Sequence, residues 1–398
     1  MYFGGIRLYK AELVNGKWTV YQVKGVHVDQ KDLRFSPHNA NTYWITNDGG
    51  IWKCTLQYNT YDTVQHRNEE LRTVMFFDID VYPTDYDYII GGTQDNGTIL
   101  YEGNDVWKGV RGGDGLYSLI APTNKSILYS QHQFLRDTYQ SRDGGNTWRR
   151  KNVNNGLPAS NRWGAFDAYI TVHPNGTDHV LAEGQQVLSS TDGGVNWFYK
   201  GPSLTGQNHY VRRITFQPGT CEWIAGTSRG EIWYSSTGGQ GFWSRADSRW
   251  FDVASVSNIA FSTNNSNVFY VTYDGGDDYR RIQRFEYNSS GFGSWNGTYI
   301  TDNLPSRLKP TGDDTQGRKL VIYAIAADGF DDATAYVGTN QGVFRGHASS
   351  PHSNWNWQPY NSGMPLTSVH DLVVDKTNMR LLHAATWERS AFSVVTGP

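Results

Sequence analysis

Two cysteines in 398 residues are too few for a disulfide framework. Cys54 and Cys221 fall far apart in the chain, so a bridge between them is not expected. Charged residues make up only 18% of the sequence, the formal net charge is -3, and blocks of like charge are missing. This excludes the clustered basic face that nucleic acid requires, and a polybasic membrane tether with it. No apolar run reaches the roughly 18 residues that cross a bilayer as a helix, so membrane insertion is not expected. Helical periodicity is poor as well: no long stretch places apolar residues at i, i+3, i+4 and i+7. No signal peptide opens the chain, which reads as a strand from Met1, and a processed form or a piece of a longer chain is expected. Neither a metal site nor a cofactor is expected.

What the chain has in quantity is 43 Gly, 25 Tyr and 15 Trp, with 14% aromatic residues overall. Short alternating runs bounded by Gly, Asn, Asp and Pro recur throughout, as in a protein of many short strands and tight turns. One unit of the pattern spans residues 166–200. Phe166 to Pro174 reads as strand a, His179 to Ala182 as strand b and Gln186 to Ser190 as strand c. A turn, Thr191-Asp-Gly-Gly-Val-Asn-Trp197, then leads into strand d. The order returns from Leu33, Phe77, Tyr117, Val211, Val256, Val321 and Val369, at spacings of roughly 40 to 65 residues, which suits propeller blades. Tyr2-Phe-Gly-Gly, Ile6-Arg-Leu-Tyr and Lys17-Trp-Thr-Val look like strands b, c and d of one more blade, while the end from Val369 supplies a, b and c. The expected fold is therefore all-β, a single propeller of seven or eight four-stranded blades over residues 1–398. Joining the last strand a to the first b, c and d would close a ring of eight.

The turn Ser-x-Asp-Gly-Gly-x-x-Trp stands at Ser141 to Trp148 and at Ser190 to Trp197, with a degenerate copy at Ser236 to Trp243. Its Asp suits capping of turn amides, its Gly pair supplies positive φ, and its Trp suits packing between blades. Asp143 and Asp192 are therefore expected to be structural. In an antiparallel blade, such c–d turns lie on one face, while the start of strand a and the b–c loop lie on the other. That second face collects polar and aromatic side chains. Ahead of strands a stand His27, Asp29, Gln30, Asp114, Trp163 and His209; in the b–c loops stand Asn47, Asp48, Gln94, Asp95, Asn96 and His132. Asn, Asp and Gly are ordinary turn residues, and taken singly these positions suit tight turns, capped strand ends and bound water. Several carboxylates converging there would carry raised pKa values or hold a ligand.

These residues give the chain a resemblance to the BNR/Asp-box propeller superfamily, which includes sortilin-type domains and xyloglucanase-type glycosidases. More narrowly, it resembles secreted Bacteroidetes proteins that are glycosyl hydrolase-like but of unassigned activity. Their ordered elements match His27-Val-Asp29-Gln30-Lys31, Asn47-Asp48-Gly-Gly, Gln94-Asp95-Asn96-Gly and Gly112-Gly-Asp114-Gly, with Lys31 in place of a second His. The resemblance implies an extracellular or cell-surface protein, in keeping with Asn-X-Ser/Thr triplets such as Asn96 and Asn124. Xyloglucanase-type enzymes hydrolyse at the cleft between two such propellers, and Asp48 is placed similarly to one of their acids. Three functions follow as expectations. A binding module would hold glycan or a protein partner through aromatic and polar loop residues. A glycoside hydrolase or lyase would use Asp48 and Asp95 as acid and base, assisted by His27 or His132. An adhesion or scaffold domain would hold no small ligand.

Overall fold

The computed structural model describes the chain except for residues 105, 134–137, 152–168, 175, 177–179, 183–185, 207–208, 218–219, 221, 247–253, 275–279, 290–293, 308–318, 376–379 and 397–398. Among the described residues every regular element is a strand, and neighbours within each sheet are antiparallel. The chain divides into two compact units, Met1–Thr73 and Val74–Pro398.

The first unit holds two sheets. One is β1 (Tyr2–Gly4), β2 (Leu8–Val14) and β3 (Lys17–Gln22); the other is β4 (Gln30–Phe35), β5 (Thr42–Asn47), β6 (Gly50–Thr55) and β7 (Thr63–His66). A buried polar knot joins them. The ammonium of Lys10 on β2 donates to Asp62 Oδ1 at 2.9 Å and to the Thr60 carbonyl at 2.9 Å. Asp62 Oδ2 accepts the hydroxyls of Tyr2 at 2.8 Å and Tyr43 at 2.6 Å. With so many donors around it, the Asp62 carboxyl lies below its ordinary range despite burial, which opposes that shift. Cys54 is buried beside Tyr43, and burial pushes its thiol up to about 12, so it is packing rather than chemistry.

The second unit holds seven sheets, each met in chain order from an inner strand outward. The first is β8 (Phe76–Tyr82), β9 (Asp85–Thr93), β10 (Gly97–Glu102) and β11 (Lys108–Arg111); the second is β12 (Ser118–Ile120), β13 (Leu128–Gln131), β14 (Thr138–Ser141) and β15 (Arg149–Lys151). The third is β16 (Ile170–Val172), β17 (Val180–Ala182), β18 (Val187–Ser190) and β19 (Phe198–Lys200); the fourth is β20 (Val211–Phe216), β21 (Trp223–Thr227), β22 (Ile232–Ser235) and β23 (Ser244–Arg245). The fifth is β24 (Ser255–Phe261), β25 (Val268–Asp274), β26 (Ile282–Asn288) and β27 (Ser294–Tyr299); the sixth is β28 (Ile322–Ala327), β29 (Thr334–Thr339), β30 (Gly342–His347) and β31 (Asn356–Pro359). The seventh has three strands, β32 (Ser368–Val374), β33 (Leu381–Trp387) and β34 (Ala391–Val395).

Inner strands pack on inner strands around a closed series: β8 on β12, β12 on β16, β20 on β24, β24 on β28, β28 on β32, and β32 back on β8. Val187 of β18 shares a core cluster with Val211 of β20, which completes the series. Second strands such as Val268-Phe-Tyr-Val-Thr-Tyr are buried along both faces because a sheet lies on either side. The joining of the last inner strand to the first three strands of the chain, expected from the sequence, is overturned. β32, β33 and β34 form one sheet and β1, β2 and β3 form another. Each is closed by consecutive hairpins, which cost far less loop entropy than pairing the two ends of the chain.

The Asp turns fold as their chemistry dictates. Ser141 Oγ accepts the Gly145 N–H at 2.9 Å, and Asp143 Oδ1 accepts the Thr147 N–H at 2.8 Å. Ser190 and Asp192 repeat this with Gly194 and Asn196, at 2.8 and 2.9 Å. Donation from the Thr147 hydroxyl, the Thr147 N–H and the Ser141 hydroxyl holds the Asp143 carboxyl down at about 2. Trp197 is buried and its indole donates to the Gly194 carbonyl at 3.0 Å. The degenerate copy lacks the Asp but keeps the Ser235–Gly239 bond at 3.0 Å.

Candidate binding face

Inner strands of both units carry a β-bulge near their first residues. Phe76 pairs with Thr93 and Asp78 with Gly92, leaving Phe77 as the extra residue. The same shift leaves Arg212, Ser257, Tyr323 and His370 extra in β20, β24, β28 and β32, and Lys31 in β4 of the first unit. A bulge re-aims one side chain while the strand keeps its register on either side. The residue just before each bulge in the second unit is core: Phe76, Val211 and Val369 are 0% exposed, Val256 and Ile322 1%. The bulged side chains of the second unit are half-buried, whereas Lys31 is exposed. Tyr117 and Tyr169 stand just before β12 and β16, at the equivalent place.

In the second unit these side chains make an aromatic arc. Tyr323 stacks on His370 at 4.4 Å between centroids, His370 stacks on Trp387 at 4.7 Å, and Phe77 meets Trp387 edge-on at 5.0 Å. Phe77 packs on the cluster of Tyr117, and Tyr117 meets Tyr169 edge-on at 5.0 Å. The Arg213 guanidinium lies over Tyr169 at 5.1 Å and Tyr117 at 5.5 Å. Sandwiching His370 between two rings removes water from the imidazole and pushes its pKa down to about 4. Trp387 belongs to the last b–c loop, where Glu388 and Ser390 hold positive φ of 86° and 66°.

The loop residues singled out from sequence fall in two groups, one in each unit. In the first unit, Gln30 Nε2 donates to the His27 carbonyl at 2.5 Å, and Asn47 Nδ2 donates to the same carbonyl at 3.1 Å. Asn47 Oδ1 accepts the Trp52 indole at 2.9 Å and the Gly49 N–H at 3.1 Å. Asp48 pairs with Lys31 at 2.9 Å. Asp29 sits at φ 62°. In the second unit, the Gln94 amide donates to Asp95 Oδ1 at 2.9 Å and the Asp95 N–H donates to Asp114 Oδ1 at 3.0 Å. Gln133 Nε2 also donates to Asp114. Asn96 Nδ2 donates to the Gln94 carbonyl at 3.2 Å, and His132 Nε2 meets the Gly112 carbonyl at 3.1 Å. Beside them the Arg111 guanidinium lies over the Tyr139 ring at 3.3 Å. So Gln94, Asp95, Asn96, Asp114 and His132 come together where three loops are knitted to one another. His209 stands apart, 3.5 Å from Ser228 Oγ. Trp163 lies outside the described residues.

The most perturbed carboxyls are ones that sequence reasoning missed. Asp78 on β8 and Asp371 on β32 face each other across two neighbouring inner strands, and both carboxyls are raised above their ordinary value. Burial, and then the charge of Asp371, raises Asp78 well above the ordinary carboxyl value. Burial raises Asp371 too, against the pull of its backbone donors and Arg213. Both are occupied as backbone acceptors between neighbouring inner strands. Asp371 Oδ2 accepts the Ile79 N–H at 3.3 Å, Asp78 Oδ2 the Ser118 N–H at 3.4 Å, and Asp80 Oδ2 the Ile120 N–H at 2.8 Å. The signal was present as Phe-Asp-Ile-Asp in β8, but strand alternation with polar residues reads as solvent exposure. Among the described residues no group of three or more His, Cys, Asp and Glu could hold a metal ion.

No protein-family model and no curated protein matches the chain. Solved structures do. The GH74 xyloglucanase from Xanthomonas campestris matches with a TM-score of 0.59 at 14% identity, over 81% of this chain and 52% of that one. The GH74 enzyme from Niastella koreensis matches at 0.58 and 16% identity, with the same coverage. The chain thus spans about half the length of these enzymes. YCF48 from Cyanidioschyzon merolae matches at 0.55 and 13% identity, over 87% of this chain and 98% of that one. A structure of YCF48 bound to D1 peptide matches at 0.53 and 12% identity, over 82% and 93%. At such identities the likeness shows the fold alone, and that fold is of the β-propeller kind.

Proposed function

We propose that this protein is a secreted or cell-surface propeller of the Asp-box kind that binds glycan or a protein partner, with the seven sheets of the second unit as its blades. The observation that carries the reading is the aromatic arc. Three sheets contribute rings at the strand position that a bulge re-aims, Phe77, Tyr323 and His370, and two more contribute Tyr117 and Tyr169 just before their inner strands. Half-buried rings beside guanidinium and carboxamide groups suit a ligand with apolar faces and hydroxyls or amides. The likeness to xyloglucanases and to a propeller bound to peptide supports both ligand classes. Glycoside hydrolysis, by Asp48 in the first unit or Asp95 in the second, is the alternative.

The test is a glycan array and a peptide array probed with the intact chain, beside reducing-sugar release from any glycan that binds. Binding that Trp387→Ala weakens roughly tenfold or more, with no sugar released, is the expected result. Sugar release abolished by Asp48→Asn/Asp95→Asn replaces the binding module with an enzyme. Binding indifferent to Trp387→Ala removes the arc from the site.

A further inference from the structure

Where the first and second sheets of the second unit meet, three side chains gather on one phenol ring. The Arg111 guanidinium, at the end of β11, lies over Tyr139 of β14 at 3.3 Å from the ring centroid. The His132 ring stands 5.6 Å from the same ring, tilted by 47°. Arg150 of β15 is the ladder partner of Tyr139, so its side chain leaves the sheet on the same face. That face is turned to the first sheet. Ser130, the other ladder partner of Tyr139, bonds the Thr98 hydroxyl of β10 at 2.6 Å, and Trp148 donates to the Val110 carbonyl of β11 at 2.9 Å. Trp148 thus fills the turn end of the seam, and the loop end carries a phenol with two guanidinium groups.

Arg111 is held in place but not neutralised. Among the described residues it forms no ion pair, and its one hydrogen bond runs from Nη1 to the neighbouring Gly112 carbonyl at a long 3.4 Å. Its Nε is buried with no acceptor. Asp114, three residues on, is turned to other donors: Oδ1 accepts the Asp95 N–H at 3.0 Å, and Gln133 Nε2 donates to Oδ2.

The loops around the guanidinium are rigid because other atoms fill the space that side chains would take. A Cβ on Gly97 would lie 2.0 Å from the Arg111 carbonyl oxygen, and one on Gly113 would lie 2.5 Å from the His132 ring. Both glycines hold positive φ, 76° and 89°. At Gly112, next to Arg111 in the chain, a Cβ would meet nothing within 4 Å. A stacked guanidinium bordered by open space presents its planar fork to an anion with two or more oxygens.

We propose that Arg111 and Tyr139 form a subsite for the anionic substituent of an acidic glycan, a uronate carboxylate or a sulfate ester. This rests on the glycan half of the reading above and adds the class of sugar to it. The adjoining loops carry Gln94, Asp95, Asn96 and Asp114, amides and carboxylates that suit hydroxyl groups. A sugar ring has hydroxyls beside its acid, whereas the Asp and Glu side chains of an acidic peptide have none.

The test is calorimetric titration of the intact chain with oligomers of galacturonate, mannuronate and a sulfated galactan, each beside its methyl-esterified or desulfated form. One acid form should bind, roughly tenfold more tightly than its neutral counterpart, and which one does so identifies the substituent. Arg111→Gln should remove that difference without lowering the melting temperature. Arg111→Lys, which keeps the charge and loses the flat fork over Tyr139, should restore only part of it. Acid and neutral forms bound equally, no acid form bound at millimolar concentration, or undiminished binding by Arg111→Gln overturns the inference. Equal binding of a hexaglutamate peptide overturns it too, and gives the patch to acidic peptides. Trp387→Ala keeps the two claims apart. Binding that falls with Trp387→Ala and not with Arg111→Gln ends this inference and keeps the aromatic arc, and the converse ends the arc and keeps the subsite.

Discussion

Asp371 accepts the backbone N–H of Ile79, a residue 292 positions away, at 3.3 Å. The bond joins the last inner strand of the second unit to its first, and beside it burial and the charge of Asp371 raise the Asp78 carboxyl well above its ordinary value. The groups facing this pair are Asp80 on β8, Tyr117, Tyr169 and Arg213, and the seam is titratable.

A carboxyl raised above its ordinary 3.8 in the folded state contributes stability that is full below that pH and is lost as pH rises through the folded value. Replacing Asp78 with Asn keeps a hydrogen-bond donor toward Asp371 and removes the titration. The unfolding free energy of the native chain should therefore fall relative to Asp78→Asn as pH rises above about 4, by at most about 1.4 kcal/mol per pH unit. Urea unfolding at a series of pH values checks this, and parallel curves for the two proteins would refute it.

His370 works in the opposite sense. Its pKa is pushed down to about 4 from an ordinary 6.5, so the unfolded chain takes up the proton first as pH falls. Stability should drop from pH 6.5 toward 4, and His370→Phe, which keeps a flat ring between Tyr323 and Trp387, should flatten that limb. His173 and His383 are lowered by burial as well and leave a residual slope. A His370→Phe limb as steep as the native one would place the imidazole in water.

Trp197 and Phe198 are neighbours with opposite fates, 2% and 61% exposed. Trp197→Ala should cost roughly 3–5 kcal/mol, as removal of a buried aromatic does. Phe198→Ala should stay within about 0.5 kcal/mol. Denaturant titration separates them, and similar small losses would mean that the turn tryptophans are not core.

Gly92 runs against the next sheet so closely that a Cβ there would lie 1.8 Å from the Leu116 carbonyl oxygen. Gly109, in the same sheet, has nothing within 4 Å. Gly92→Ala should lower the melting temperature by several degrees, while Gly109→Ala should leave it nearly unchanged. Equal shifts would show that β9 and the segment leading into β12 are not packed as described.

The repeat and its turns were legible in the sequence because Ser141, Asp143 and the Gly pair fold by local chemistry. The order of strands followed from the same punctuation. Strand alternation conceals the bulges: one extra residue flips which face a side chain takes, so nothing in the sequence singled out Phe77, Tyr323, His370, Asp78 or Asp371. Loop candidates such as Asp95 and Asp114 were found because turn residues advertise themselves, whereas Trp387 owes its place to His370, which is adjacent only in the fold. The partition at Thr73 left no mark in composition, since both units draw on the same repeat.

The bulge also frees the rim of the second unit to vary. At Phe77, Arg212, Ser257, Tyr323 and His370 one residue faces outward, and the packing is borne by the neighbour before it. Letters at those sites are interchangeable in a way that core letters are not, so selection or a designer can rewrite the rim one sheet at a time while the scaffold stands still. Ser257 is the blank in the series, and an aromatic side chain introduced there would extend the arc into the fifth sheet.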